Sequence, residues 1–310
     1  MKWYQEKEKA AGEKRLLFSW YVYKLFGKKA LQLIAVVVSL CTFVFSKQLR
    51  TYTRKNLSII FEYTKNKDAK PTIINMYKNI LNYALSLVDK METCARTFDI
   101  KKLNFAEETD KEELLKQMNE KKGIFFICTH IGNIEVLRTF ISNPENYIWP
   151  MNPHANIFLS KSQCKIFNNF LSKISAKVDS STYPVEDIDM STAVEIQEKL
   201  EHGDIVFIAG DRVSAGSSVI TFKTDFLNRR AEFPSGTFKL AQLTQAPVYF
   251  IAALKAKKDT YKIYVKKFEQ NNSLTKKQNL SKMQAEYIKF LEEITRIAPL
   301  QFYHFYDMFD

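Results

Sequence analysis

The chain has 310 residues, 46% hydrophobic and 26% charged, enough for one large α/β domain with an appendage and too apolar for a disordered segment. Its net charge of +12 calls for an acidic partner or an anionic surface, and twelve Lys and Arg against three Glu through Lys55 place +9 of it near the N-terminus. No zinc-finger, recognition-helix or RNA-binding signature accompanies that charge, so nucleic acid is not an expected partner. Cys41, Cys94, Cys128 and Cys164 are widely spaced, which speaks against a metal cluster or a disulfide framework and for a reducing compartment.

Residues 1–29 mix cations with Trp3, Tyr4, Phe18, Trp20, Tyr21, Tyr23 and Phe26, the composition of a membrane-surface segment. Ala30 to Ser46 carries no charge and is flanked by Lys28, Lys29 and Lys47. As a helix it would be about 25 Å long, and a tilted span, an interfacial helix and a buried core helix all remain open. The long charged lead before this run does not resemble a secretory signal. Residues 48–100 read as helices broken near Lys65–Pro71, so residues 1–100 are expected to be a membrane-associating helical region and 101–310 the α/β domain.

Lys111–Lys122 reads as a charged helix. Ile124–Cys128 (IFFIC) is a short apolar run expected to be a buried strand, followed by a turn at Thr129–Asn133 and a helix from Ile134. Tyr147–Met151 is a second expected strand, Asn152–His154 a turn, and Lys161–Ile174 and Ser191–Leu200 helices. Ile205–Ala209 (IVFIA) is a further buried strand running into Gly210-Asp211-Arg212. Phe233–Gln245 reads as a helix with Pro234 near its start, Pro247–Leu254 and Tyr261–Phe268 as adjacent strands, and Leu280–Ile297 as a long helix. The alternation predicts a mixed, largely parallel sheet flanked by helices.

In such sheets ligands sit beyond the carboxyl ends of the strands. Two strand ends here turn abruptly polar: Thr129–Glu135 and Gly210–Arg212. His130 and Glu135 form a His-x4-Glu pair in which the carboxylate could orient the imidazole and leave its other nitrogen as a base. Arg212 could hold an anion or a developing negative charge, with Asp211 holding the arginine or the loop. Cys128 lies inside a buried strand and is poorly placed to attack a substrate. No phosphate-binding glycine loop or metal cluster is present, so no cofactor is expected.

THIGNIE, AGDR and FLNRRAEFPSGTFKLAQLTQAPV resemble the bacterial lipid A biosynthesis (lauroyl/myristoyl) acyltransferases, part of the glycerolipid acyltransferase superfamily with its His-x4-Asp/Glu motif. The ends of the chain, WYQEKEKAAGEKRLLFSW and APLQFYHFYDMF, resemble the predicted acyltransferases of aryl polyene-type pathways. The resemblance implies that His130 is the base and Glu135 its acidic partner. It further implies that Arg138, Asp211, Arg212, Arg229 and Gly236 bind substrate, the last two within a block that includes Phe226, Leu227, Phe233 and Pro234. Asn228 departs from a common glycine and His304 from a common asparagine; His304, like His154 and His202, is expected to be structural.

The implied activity is transfer of a fatty or polyene acyl chain from an acyl-carrier-protein or coenzyme A thioester to a lipid or glycolipid hydroxyl. The implied location is the cytoplasmic face of a bacterial inner membrane. An acidic carrier protein and an anionic bilayer would both be drawn to the basic chain. A catalytically inactive lipid-binding scaffold with the same fold, and a hydrolase using the same histidine, are the alternatives.

Overall fold

A computed structural model of the chain describes residues 12–120, 122–138, 153–174, 180–213 and 220–309. In chain order the helices are α1 (Glu13–Phe45), α2 (Lys47–Thr64), α3 (Ile73–Cys94), α4 (Glu108–Asn119), α5 (Lys161–Lys173), α6 (Met190–Glu201), α7 (Gly236–Thr244) and α8 (Lys276–Ile297). The strands are β1 (Leu103–Phe105), β2 (Ile124–Cys128), β3 (Ala155–Leu159), β4 (Ser180–Pro184), β5 (Ile205–Ala209), β6 (Thr221–Phe226), β7 (Arg229–Pro234), β8 (Val248–Lys255) and β9 (Tyr261–Lys267).

Seven strands form one sheet in the order β1-β9-β8-β2-β5-β3-β4, parallel at every pairing except β8 with β9. The expected mixed, largely parallel sheet with flanking helices is what forms. β2 lies at its centre and is buried along its whole length, as an unalternating apolar run requires when both faces of a parallel sheet are covered. Phe125 and Ile127 face a cluster that includes Ile196 of α6, Phe238 of α7 and Tyr287 and Leu291 of α8. Ile124, Phe126 and Cys128 face the opposite cluster, with Leu114 and Met118 of α4. Burying each of these large side chains contributes roughly 1.5–3 kcal/mol.

Several boundaries differ from expectation. The expected strand Tyr147–Met151 lies outside the described residues, and β3 begins just past the expected turn, at Ala155. The helix expected from Phe233 starts at Gly236, because Phe233 and Pro234 close β7 of a separate β6–β7 hairpin. Its two-residue turn, Leu227-Asn228, has φ of 53° and 58°, the paired positive values that a type I′ hairpin needs. From Ile134 the chain forms a 3-10 turn to Arg138 in place of an α-helical start.

α1 lies along α3, with Val22 and Leu31 buried in a small cluster with Val88 and Met91. Ser39 and Phe43 meet Tyr77 further along the pair. Gly27 interrupts the helical backbone of α1 at φ 76°. The next residue, Lys28, reaches into a carboxylate cluster: buried Asp89 at 3.0 Å and Glu92 at 2.8 Å, and half-buried Asp259 at 2.6 Å. Asp89, 1% exposed, also holds Lys255 at 2.8 Å and accepts from the Tyr261 hydroxyl, so one carboxylate ties α1 and α3 to the sheet.

Candidate functional site

The site follows from strand register. Cys128 of β2 lies opposite Ala209 of β5, so two residues beyond each strand end His130 and Asp211 come side by side. Asp211 is 1% exposed, and three donors converge on it. Thr129 Oγ1–H and the His130 backbone N–H both reach Oδ2 at 2.6 Å, and His130 Nδ1 reaches Oδ1 at 2.8 Å. The Thr129 hydroxyl also accepts from Ile131 N–H at 3.0 Å, which fixes the turn.

Burial alone would raise the pKa of Asp211, but the adjacent His130 ring and its hydrogen bond more than offset this and hold the carboxyl well below the usual range. A carboxylate at Nδ1 requires the proton on that nitrogen and leaves the Nε2 lone pair available. Nε2 has no hydrogen-bond partner among the described residues, and the His130 side chain keeps 33% of its surface exposed. The ring is therefore held from behind and open in front, the arrangement a general base needs.

The acidic partner differs from expectation. The sequence pattern assigned the orientation of His130 to Glu135, whereas the carboxylate on its ring belongs to Asp211. Asn133 Oδ1 accepts from Glu135 N–H at 3.1 Å, and the 3-10 turn carries Glu135 toward α3, where its Oε1 lies 2.6 Å from Lys90 Nζ. Asp211 holds the turn after β2, through Thr129 and His130, while the Arg212 guanidinium lies 5.2 Å over the Tyr306 ring.

The remaining expected residues divide. Arg138 ends the 3-10 turn, and its side chain lies outside the described part of the structure. Gly236 opens α7, where a Cβ would meet open space, and the next residue, Thr237, donates to Ala209 O at 3.1 Å. That bond sets the start of α7 against the strand end that leads into Asp211. Arg229 is not brought to His130 by any described contact. It pairs with Glu62 of α2 at 2.9 Å, beside a cavity of about 600 Å³ whose lining includes Arg54, Lys55 and Phe309.

The C-terminal tail supplies residues to the site that the sequence pattern marked only as structural. Ile131 bridges Phe302, Gly132 N–H donates to Gln301 O at 2.9 Å, and Asn79 of α3 donates to Phe302 O at 3.0 Å. Gly132 sits at φ 87°, and a Cβ there would fall 2.2 Å from Ala253 O, so only glycine lets the turn pass this close to β8. The tail thus carries His304 into the site, 2% exposed, its Nε2 3.5 Å from Asp211 Oδ2 and its ring edge-on to His130. Cys128 is fully buried and its thiol pKa is pushed up by that burial, in keeping with an inert role. Among the described residues no group of His, Cys, Asp and Glu is arranged to hold a metal.

Fold and site together define an α/β protein with a histidine–carboxylate pair over the carboxyl edge of a parallel sheet, an arrangement suited to base catalysis. The model of the bacterial lipid A biosynthesis acyltransferase family matches residues 14–309, and the chain belongs to that family. Membership indicates an acyltransferase that acts on lipid. Among curated proteins no match is found.

Proposed function

We propose that the protein moves a fatty or polyene acyl chain from an acyl-carrier-protein or coenzyme A thioester to a lipid or glycolipid hydroxyl, with His130 as general base. The observation that carries the reading is the Asp211–His130 pair, which fixes the tautomer and leaves Nε2 open. In the reaction Nε2 takes the proton of the acceptor hydroxyl as its oxygen attacks the thioester carbonyl. The imidazolium that forms is stabilised by the buried Asp211 carboxylate, and its proton then passes to the departing thiolate. Arg212 supplies positive charge for an anionic substrate group or the developing oxyanion. Glu135, held by Lys90, anchors the 3-10 turn that follows the histidine loop.

Membrane association at the cytoplasmic face of the inner membrane belongs to the same proposal. α1 is long and apolar enough to cross a membrane, and Leu33, Val36, Val37, Leu40 and Val44 line one exposed stripe of it at helical spacing. The opposite side of α1 packs on α3, which itself packs on the tail beside the site. This favours a helix lying in the lipid surface over one that stands across it.

Incubation with an acyl-carrier-protein thioester and a membrane lipid extract tests the activity. The proposal expects acylated lipid that requires both donor and acceptor. Free fatty acid formed without acceptor would make the protein a hydrolase, and an intact thioester would make it a binding scaffold.

A further inference from the structure

His304 is a histidine in an unusual position: buried, with neither ring nitrogen in a well-formed hydrogen bond, near the Asp211 backbone carbonyl and 3.5 Å from the carboxylate that holds the catalytic base. Its surroundings are set by the tail and by neighbouring elements. Phe302 lies 4.5 Å and Tyr306 5.4 Å from its ring, ring centre to ring centre, and His130 stands edge-on at 6.4 Å. Asn56 of α2 donates to its backbone carbonyl, so the residue is held where it is by more than packing. The charged and titratable groups that face it are Asp211 and Arg212 beyond β5 and His130 beyond β2, with Tyr306 on its own segment.

The carboxylate of Asp211 already accepts three hydrogen bonds, one on Oδ1 and two on Oδ2. Oδ2 already accepts two of these bonds, and His304 Nε2 stands toward that same oxygen as a third group, so the contact is electrostatic and does not fill a vacant lone pair. A lone pair on Nε2 would repel that oxygen, whereas an Nε2–H is attracted to it. An approach of about 0.5 Å would turn the contact into a hydrogen bond, and such bonds in acid–base sites commonly tighten when substrate arrives.

We infer that His304 is a positioning residue, which points Nε2–H at Asp211 and steadies that carboxylate while His130 carries the substrate proton. This rests on His130 being the base. It assigns the tail a part in acyl transfer that neither its composition nor the His-x4-Glu motif indicates. The donor also moderates the basicity of Asp211. Without it the carboxylate would hold the imidazolium of His130 more strongly, and the base would release its proton to the leaving thiolate less readily.

Two measurements test the inference. In the wild-type chain labelled with 15N-histidine, NMR is expected to show His304 neutral between pH 6 and 8 with its proton on Nε2. A proton on Nδ1 instead overturns the inference, and this readout does not depend on any activity. In acyl-transfer kinetics, His304→Phe keeps a ring of similar size and removes the donor. It is expected to lower kcat about tenfold, the low end for loss of a group that orients a functional histidine, with both KM values within about twofold.

The acid limb of the kcat/KM profile should then move up by about half a pH unit, because His130 becomes harder to deprotonate. His304→Gln places an amide N–H near the Nε2 position and should return kcat to within about threefold of wild type. Wild-type kcat and an unmoved acid limb in the phenylalanine variant would reduce His304 to packing, as would equal losses in both variants. Should the phenylalanine variant fail to fold, the His304 tautomer in the wild-type chain decides.

Discussion

Replacing Asp211 by Asn keeps the shape of the side chain and changes what it can accept, which makes it a searching perturbation of the site. Two of the three donors on the carboxylate, Thr129 Oγ1–H and His130 N–H, converge on Oδ2, and the third, His130 Nδ1–H, lies on Oδ1. An asparagine can keep its carbonyl oxygen toward only one side. The hydroxyl of Thr129 can rotate, but the backbone N–H cannot, so the favoured orientation leaves the oxygen with that pair and turns the amide N–H₂ toward Nδ1. Nδ1 must then act as acceptor, the ring proton moves to Nε2, and the base is lost at the atom that faces substrate. The fall in kcat is expected to be about 10³–10⁴-fold, or about 4–5 kcal/mol of barrier, the size found when a catalytic histidine is held in the wrong tautomer. The fold should lose only about 1–3 kcal/mol, because one hydrogen bond is exchanged in a buried site. Initial rates of lipid acylation at saturating thioester, with the His130 tautomer followed by 15N NMR, measure both effects. An Asp211→Asn variant within about threefold of wild-type rate and still carrying its ring proton on Nδ1 would show that Asp211 does not set the His130 tautomer.

Other expectations follow from the same contacts. Asp89→Asn leaves Lys28 and Lys255 facing an amide in a buried network and should cost about 3 kcal/mol of stability in urea unfolding. Acid should destabilise the fold through His304, whose pKa burial pulls down to about 4, against the opposing pull of Asp211. The unfolded chain then binds the extra proton between about pH 6.5 and 4, so stability falls as pH drops through that window, by about 2 kcal/mol between pH 7.5 and 5. His304→Phe should flatten this part of the stability curve. Leu40→Asp combined with Val44→Asp, both on the exposed stripe of α1, should weaken binding to phosphatidylglycerol vesicles by about a hundredfold in a sedimentation assay while leaving the folded core intact.

The parts of the fold that could be read from sequence are those whose signals are local. IFFIC and IVFIA announce buried strands because nothing polar interrupts them, and both end in abrupt polar turns. The position of His130 at such a turn was legible for that reason. Its partner was not, because the neighbour of β2 is settled by long-range pairing, and only the Cys128–Ala209 register puts Asp211 beside the histidine. Spacing brought Glu135 near in sequence without saying where it points; Asn133 and the 3-10 turn aim it at Lys90. The β6–β7 hairpin was hidden because its turn has no glycine, and Leu227 and Asn228 both adopt positive φ there. His304 looked like one more residue in an aromatic tail. The alternation of Phe302, His304 and Tyr306 was the available sign that the three share a face, and in the structure the His304 ring meets the other two, tilted against Phe302 and edge-on to Tyr306.

Base catalysis by His130 in acyl transfer to lipid stands or falls with His130→Gln. That variant retains a polar side chain of similar reach and cannot take a proton from the acceptor hydroxyl. Measured with an acyl-carrier-protein thioester and membrane lipid, its kcat is expected to fall by about 10²–10⁴-fold, with thioester binding largely retained. Lipid acylation at the wild-type rate in this variant would contradict the account.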